Sequence, residues 1–298
     1  MQNDLRIRST LFSVMGNFLR SVIPVFIKSR FRIIIEASKL VRTSKVLSKL
    51  ERLPDFPNSK CNFDQYLELS VKGAEMSYRQ LAQMANIGDI EISENIDEIS
   101  VPNLSDPEKL SALFDKYGSD KGSQHKYHFL YSLLFSKIDM KHCNILEIGL
   151  GTNNIKVPSN MGRRGSPGAS LRAWRDFSPT INVVGVDIDS TLLFDESRIQ
   201  TFHLDQTSQT SWTQMISKLD GRKFDLIIDD GLHSPFANLQ TLMHGKYLVK
   251  ESGFLVIEDI GENSLPIWNL ALALLDNSWV WQMYRYPKAF VLVLQHKN

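Results

Sequence analysis

The residues able to do chemistry gather at a few places in the second half of the 298-residue chain. Asp230 and His233 follow one short apolar run, and Glu258 and Asp259 end another. If those runs are neighbouring strands, Asp230, Glu258 and Asp259 converge as three hard oxygen ligands. That set suits Mg²⁺ or Mn²⁺, which leave water or substrate oxygens in their remaining positions. Three carboxylates packed together without a cation would repel one another and raise each other's pKa. His233, three residues beyond Asp230, is placed to act as a general base beside such an ion. The chemically silent alternative makes these residues ordinary strand-end acids and a capping or core histidine.

A second group can hold a nucleoside. Glu147 is followed by Gly149 and Gly151, which let the backbone turn tightly and approach a ligand at the next helix. A dinucleotide fingerprint asks for a third glycine where Asn154 stands, which disfavours a dehydrogenase. Asp187 ends the next apolar run with a carboxylate suited to two vicinal ribose hydroxyls. Asp205 and Gln206 end the following run with an acid and an amide suited to an adenine edge. Asp229 closes the run after that and joins the cofactor-binding candidates. Glycine turn, ribose acid and adenine acid on successive strands resemble the layout of S-adenosylmethionine methyltransferases.

These residues need a scaffold that brings strand ends together. Strands are expected at 144–148, 182–186, 199–204, 224–228 and 253–257, with helices between them near 170–177, 211–219 and 236–249. Repeated strand–helix alternation predicts an α/β fold, a doubly wound and mostly parallel sheet with helices on both faces. A helix near 265–275 and a hairpin from 279–286 and 289–295 bring the strands to seven. Open sheets of this kind bind ligands at the carboxyl ends of their strands. Fifteen residues rich in Gly and Pro, 155–169, lengthen the loop after the first strand and read as a substrate lid. Its Arg163 and Arg164 face either solvent or an acidic group of the substrate.

Composition sets the outer frame. Hydrophobic residues make up 43% and charged residues 22%, which excludes wholesale disorder. The net charge of +1 conceals a basic head, 1–52, with 11 Lys/Arg against 3 Asp/Glu, and a remainder with net charge −7. Leu11, Met15, Phe18, Leu19, Val22, Ile23 and Phe26 recur at helical spacing, so the head reads as a basic amphipathic helical extension. It packs on the body of the chain or on another subunit of a homo-oligomer, lies on an anionic membrane surface, or is an organellar transit peptide. Residues 53–105 read as a helical segment (63–84) and an acidic linker (88–105), and 106–298 as the catalytic domain. Two cysteines exclude a disulfide framework and fit a reducing compartment. The expected location is therefore cytoplasmic, with peripheral contact at the inner face of the membrane, and no nucleic-acid partner is expected.

Residues 106–298 resemble the Mg²⁺-dependent sugar O-methyltransferases of the macrocin and mycinamicin type. The matching signatures are Tyr117 to Gly122 followed by His125 and Tyr127, the Glu147 glycine turn, and Pro167 to Trp174. Asp205 with Gln206, Asp230 with His233, and Glu258 with Asp259 complete the set. The resemblance implies a class I, Rossmann-like methyltransferase fold, with S-adenosyl-L-methionine and Mg²⁺ (or Mn²⁺) as cofactors. It also implies metal ligation by Asp230, Glu258 and Asp259, a catalytic His233, and Ser119 and Ser170 near the cofactor. The acceptor would be a sugar hydroxyl of a polysaccharide, lipid-linked glycan or secondary metabolite. Rival readings are a methyltransferase for a catechol or other small phenol, and a non-catalytic membrane-associated scaffold that keeps the fold.

Overall fold

The structure, a computed structural model, describes residues 77–94, 105–163 and 165–297. The basic head, with its expected amphipathic helix and its membrane or subunit contacts, lies outside the described residues, as does Arg164. Of the helix expected over 63–84, residues 77–84 are described and helical.

The remaining elements run β1 (Ile92–Glu94), α1 (Pro107–Tyr117), α2 (His128–Phe135), β2 (Cys143–Ile148), α3 (Ala169–Phe177), β3 (Ile181–Asp187), β4 (Ile199–His203) and α4 (Gln209–Lys218). They continue through β5 (Phe224–Asp229), α5 (Pro235–Gly245), β6 (Val249–Ile260), α6 (Leu265–Ala273), β7 (Trp279–Arg285) and β8 (Phe290–His296). All described strands form one sheet in the order β1-β7-β8-β6-β5-β2-β3-β4. Only β8 runs antiparallel, between β6 and β7. The seven expected strands are present, and β1 adds an eighth at the edge, parallel to β7. That strand falls in the segment read as linker.

Sequence explains the layering. Along β2, Ile145 joins one core with Phe114 and Trp174, whereas Leu146 joins the other with Trp212 and Trp268. Side chains alternate across a strand, so a nearly continuous apolar run is what a sheet covered on both faces requires. Helix starts follow local chemistry. Asp106 accepts from Lys109 N ahead of Pro107, and Ser234 accepts from Ala237 N ahead of Pro235. Trp174 of α3 is fully buried and meets Phe114 and Tyr131 edge to face at 4.7 and 4.8 Å. Truncating such a residue costs about 3–5 kcal/mol. Cys143 is buried at the start of β2, and burial pushes its thiol up to about 12, so it is an inert core side chain.

The chain winds outward from β2 through β3 to β4, then returns to place β5 on the other side of β2. The crevice between β2 and β5 is the point where the winding reverses and where such sheets take ligands. No described helix is long and apolar enough to cross a membrane.

Candidate active site

Two cavities meet over that crevice. The first, about 250 Å³, is lined by the β2 turn, Val186, Asp187, Leu204, Asp205 and Thr207. The second, about 480 Å³, is lined by Ser119, Asp120, Gln124, Ser170, Asp230, His233 and Asp259, with Asn160 and Met161 from the lid segment. Gly149, Gly151, Ser159 and Asp230 belong to both walls. Two glycines are required here. Gly149 has φ +96°, and an added Cβ would lie 2.1 Å from the carbonyl oxygen of Asp230; Gly151 has φ +78° and would strike Met161.

In the first cavity Asp187 is held by its own surroundings. Its Oδ2 accepts from Leu150 N and its Oδ1 from Asp189 N, both at 2.8 Å. The carboxylate is therefore oriented before any ligand arrives, with lone pairs left for hydroxyl donors. Asp205 folds its Oδ1 onto Thr207 N and Oγ1. Gln206 reaches the wall, but its side chain is committed: Nε2 donates to Asp229 and Thr241, and Oε1 accepts from Leu232 N. Asp229 is fully buried, lines neither cavity, and accepts from Gln206, Asn238 and Gly231 N. Burial raises its pKa against those donors. The two residues tie down the loop that presents Asp230 and His233. Arg163 is exposed and lines neither cavity.

The second cavity collects the acids. Consecutive residues of a strand point to opposite faces. Between Ile257 and Ile260, however, β6 carries an extra residue relative to β8, and Asp259 has φ +56°. The bulge breaks the alternation and brings Asp259 to the same site as its neighbour. His233 also has positive φ, +55°, and its Nε2 lies 3.7 Å from Asp230 Oδ1 and 3.9 Å from Asp259 Oδ2. Nδ1 of the ring is buried without a hydrogen-bond partner. Ligand atoms of Asp230, His233 and Asp259 all lie within 4.8 Å of one another, and the two carboxylates among them are the oxygen donors a hard divalent ion takes.

Glu258 stands differently from the other two acids. It is 1% exposed and lines neither cavity; its Oε2 accepts from Lys121 Nζ and its Oε1 from the Tyr131 hydroxyl. Lys121 Nζ also lies 2.6 Å from Asp230 Oδ2 and 3.7 Å from Glu147 Oε1. Burial alone would lower the pKa of Lys121, but Asp230, Glu258 and Glu147 outweigh it and hold the ammonium well above its usual range. Asp230 is correspondingly lowered, burial being outweighed by Lys121 and His233. Glu147 lies beneath the glycine turn, with Oε2 accepting from Trp174 Nε1 at 2.7 Å, and burial pushes it up to about 7. Tyr127 donates to Asp259 Oδ1 at 2.7 Å.

Sequence reasoning quoted Lys121 and Tyr127 within signatures but gave them no role, and it missed Tyr131. A signal existed for each. Four acids at adjacent strand ends demanded a cation, and two tyrosines four residues apart at the start of α2 share one face.

No family model matches the chain. Curated relatives do. The chain is 31% identical over 158 residues to an 8-demethyl-8-(2-methoxy-alpha-L-rhamnosyl)-tetracenomycin-C 3'-O-methyltransferase of Streptomyces olivaceus, covering 52% of this chain and 38% of the relative. It is 33% identical over 153 residues to a mycinamicin VI 2''-O-methyltransferase of Micromonospora griseorubida, covering 51% and 36%. The match thus spans well under half of these relatives' own length. Among solved structures, the MycE methyltransferase of the mycinamycin pathway, in complex with Mg and SAH, superposes with a TM-score of 0.51 at 24% identity, covering 64% of this chain and 55% of that one. The fold is that of class I methyltransferases, and over about half its length the chain is similar to mycinamicin-type O-methyltransferases.

Proposed function

We propose that this chain is an S-adenosylmethionine-dependent O-methyltransferase that acts on a sugar hydroxyl with the help of Mg²⁺ or Mn²⁺. The observation that carries the reading is the pair of joined cavities, with a nucleoside-type wall in one and Asp230, His233 and Asp259 in the other. The relatives named above support the methyl-transfer chemistry and a glycosylated acceptor.

Asp187 accepts from ribose hydroxyls, and Asp205 sits at the base end of the same cavity. Gly149 and Gly151 let backbone approach the donor, and Ser119 and Ser170 line the side toward the methyl. Glu147, Gln206 and Asp229 act from behind by fixing Trp174 and the 230–233 loop. Asp230 and Asp259 are the exposed oxygen ligands for the ion, and Glu258 supports them from the buried side. A divalent ion bound there supplies Lewis acidity, which lowers the pKa of a hydroxyl otherwise far above neutral.

His233 takes the hydroxyl proton at Nε2, the nitrogen that faces the two carboxylates. The freed oxygen bonds to the methyl carbon as the carbon–sulfur bond breaks, with its electron pair going to sulfur. Lid residues Asn160 and Met161 line the acceptor cavity and limit water there. The polar wall of Ser119, Asp120, Gln124 and Asn160 suits a saccharide better than the flat apolar slot a catechol needs.

The deciding experiment combines the purified full chain with labelled methyl donor and glycosylated acceptors, with and without EDTA. Methyl transfer to a sugar hydroxyl that is lost with EDTA and restored by Mg²⁺ is the expected result. A thermal shift with NAD but none with S-adenosylhomocysteine would sink the reading.

A further inference from the structure

Lys121 is the feature of the site that the proposed reaction does not use. It lies in the turn after α1, is 1% exposed, and carries a full charge into the interior. Three carboxylates surround its ammonium, one from each of three adjacent strand ends: Glu147 from β2, Asp230 from β5 and Glu258 from β6. The ammonium donates hydrogen bonds to Asp230 Oδ2 and Glu258 Oε2, and Glu147 Oε1, which has no hydrogen-bond partner of its own, lies within ion-pair reach at 3.7 Å. The remaining oxygens are taken up from the opposite side. Glu147 Oε2 accepts from Trp174, Glu258 Oε1 from Tyr131, and Asp259 Oδ1 from Tyr127. Asp230 Oδ1 and Asp259 Oδ2 stay turned toward His233 and the cavity. The ammonium and a divalent ion therefore address different oxygens of the same cluster.

Burying several carboxylates with no counter-charge strongly destabilises a fold, and removing one partner of a buried ion pair leaves such a charge behind. In structural metal sites the metal itself removes that cost, so folding waits for metal. We propose that Lys121 is the resident cation of this site, a positioning residue that offsets enough of the acid cluster's charge for the domain to fold before any divalent ion binds. This rests on the reading of Asp230 and Asp259 as the ligands of that ion. The metal is then a cofactor of a finished site and not a part of the fold.

The test follows thermal melting of the full chain in EDTA and in saturating Mn²⁺, with Mn²⁺ binding read separately by electron paramagnetic resonance. The natural chain should bind Mn²⁺ yet lose only a few degrees of melting temperature in EDTA, the mass-action effect of an ordinary ligand. Lys121→Met should melt roughly 10 °C lower in EDTA, and Mn²⁺ should recover most of that loss. The double variant Lys121→Met with Glu258→Gln removes one charge of each sign and should regain indifference to the chelator. A Lys121→Met chain as stable in EDTA as the natural one would overturn the proposal. So would a loss that neither Mn²⁺ nor Glu258→Gln repairs, or a natural chain that unfolds on chelation. If Lys121→Met does not fold at all, folding of the double variant decides in favour and its failure decides against. Absence of Mn²⁺ binding in the natural chain would bring down the metal reading alone, because rescue by Glu258→Gln still reports on charge balance.

Discussion

The two ends of the sheet treat charge in opposite ways. At the amino ends several acids meet basic partners near solvent. Asp225 pairs with Lys250 at 2.7 Å, and Glu196 with Arg172 and Arg175, both at 2.7 Å. Arg198 Nη1 caps the carbonyls of Arg175, Ser178 and Ile181. At the carboxyl ends Glu147, Asp230, Glu258 and Asp259 crowd together around one buried lysine and one histidine. The first arrangement closes these charges locally, pair by pair. The second leaves unsatisfied acceptors facing a cavity, which is what a binding site needs.

If that contrast is right, His233→Ala at the carboxyl end has the largest effect. Turnover should fall roughly 10²–10⁴-fold while binding of S-adenosylhomocysteine and Mn²⁺ is retained. Unchanged turnover would remove His233 from the mechanism. Glycines at the two ends should separate next. Gly149→Ala places a Cβ against the Asp230 carbonyl and should cost about 3 kcal/mol in denaturant melts. Gly221, between α4 and β5 at the amino ends, also has positive φ (+74°) but nothing within 4 Å, so Gly221→Ala should cost only about 1 kcal/mol of backbone strain. Equal costs would mean that Gly149 is not pressed on Asp230.

Asp187→Ala should weaken S-adenosylhomocysteine binding in calorimetry by about 1–3 kcal/mol, because hydroxyl donors lose a pre-oriented acceptor. Binding at the natural affinity would place the nucleoside elsewhere. The smallest effect belongs to the amino end. Hydrogen bonds from Arg172 lower the pKa of Glu196, and Arg175 does the same for Asp176. Depressed carboxylates contribute stability above their unfolded pKa and lose it as pH falls through the folded value. Melting temperature should therefore drop as pH falls below about 4, and Glu196→Gln should flatten that slope by at most about 1 kcal/mol. A slope unchanged in Glu196→Gln would show that the pair is spectator charge.

Much of the scaffold could be read from residues alone. Strands buried on both faces announce themselves as apolar runs, and β2, β3, β4 and β5 fall within a residue or two of expectation. The edge strand β1 did not, because Ile92, Ser93 and Glu94 pair along one side only and are half-buried or exposed. The start of β6 was missed because Glu251 and Ser252 look like a turn. Strand-end acids were legible for the same reason as the strands. Which of them reach the cavity was not, since that depends on the bulge at Asp259 and on the loop that carries Lys121 across to Glu258. Gln206 shows the limit from the other side: an amide next to Asp205 looked outward in sequence, yet tertiary closure gives it to Asp229 and Thr241.

Gly149, Gly151, Ser159 and Asp230 stand in both cavity walls. A molecule seated in either chamber therefore rests against residues that also face the other. Thermodynamic reciprocity then requires that whatever factor the first ligand lends to the affinity of the second, the second returns to the first. Those four shared residues are the common wall through which such a factor would act.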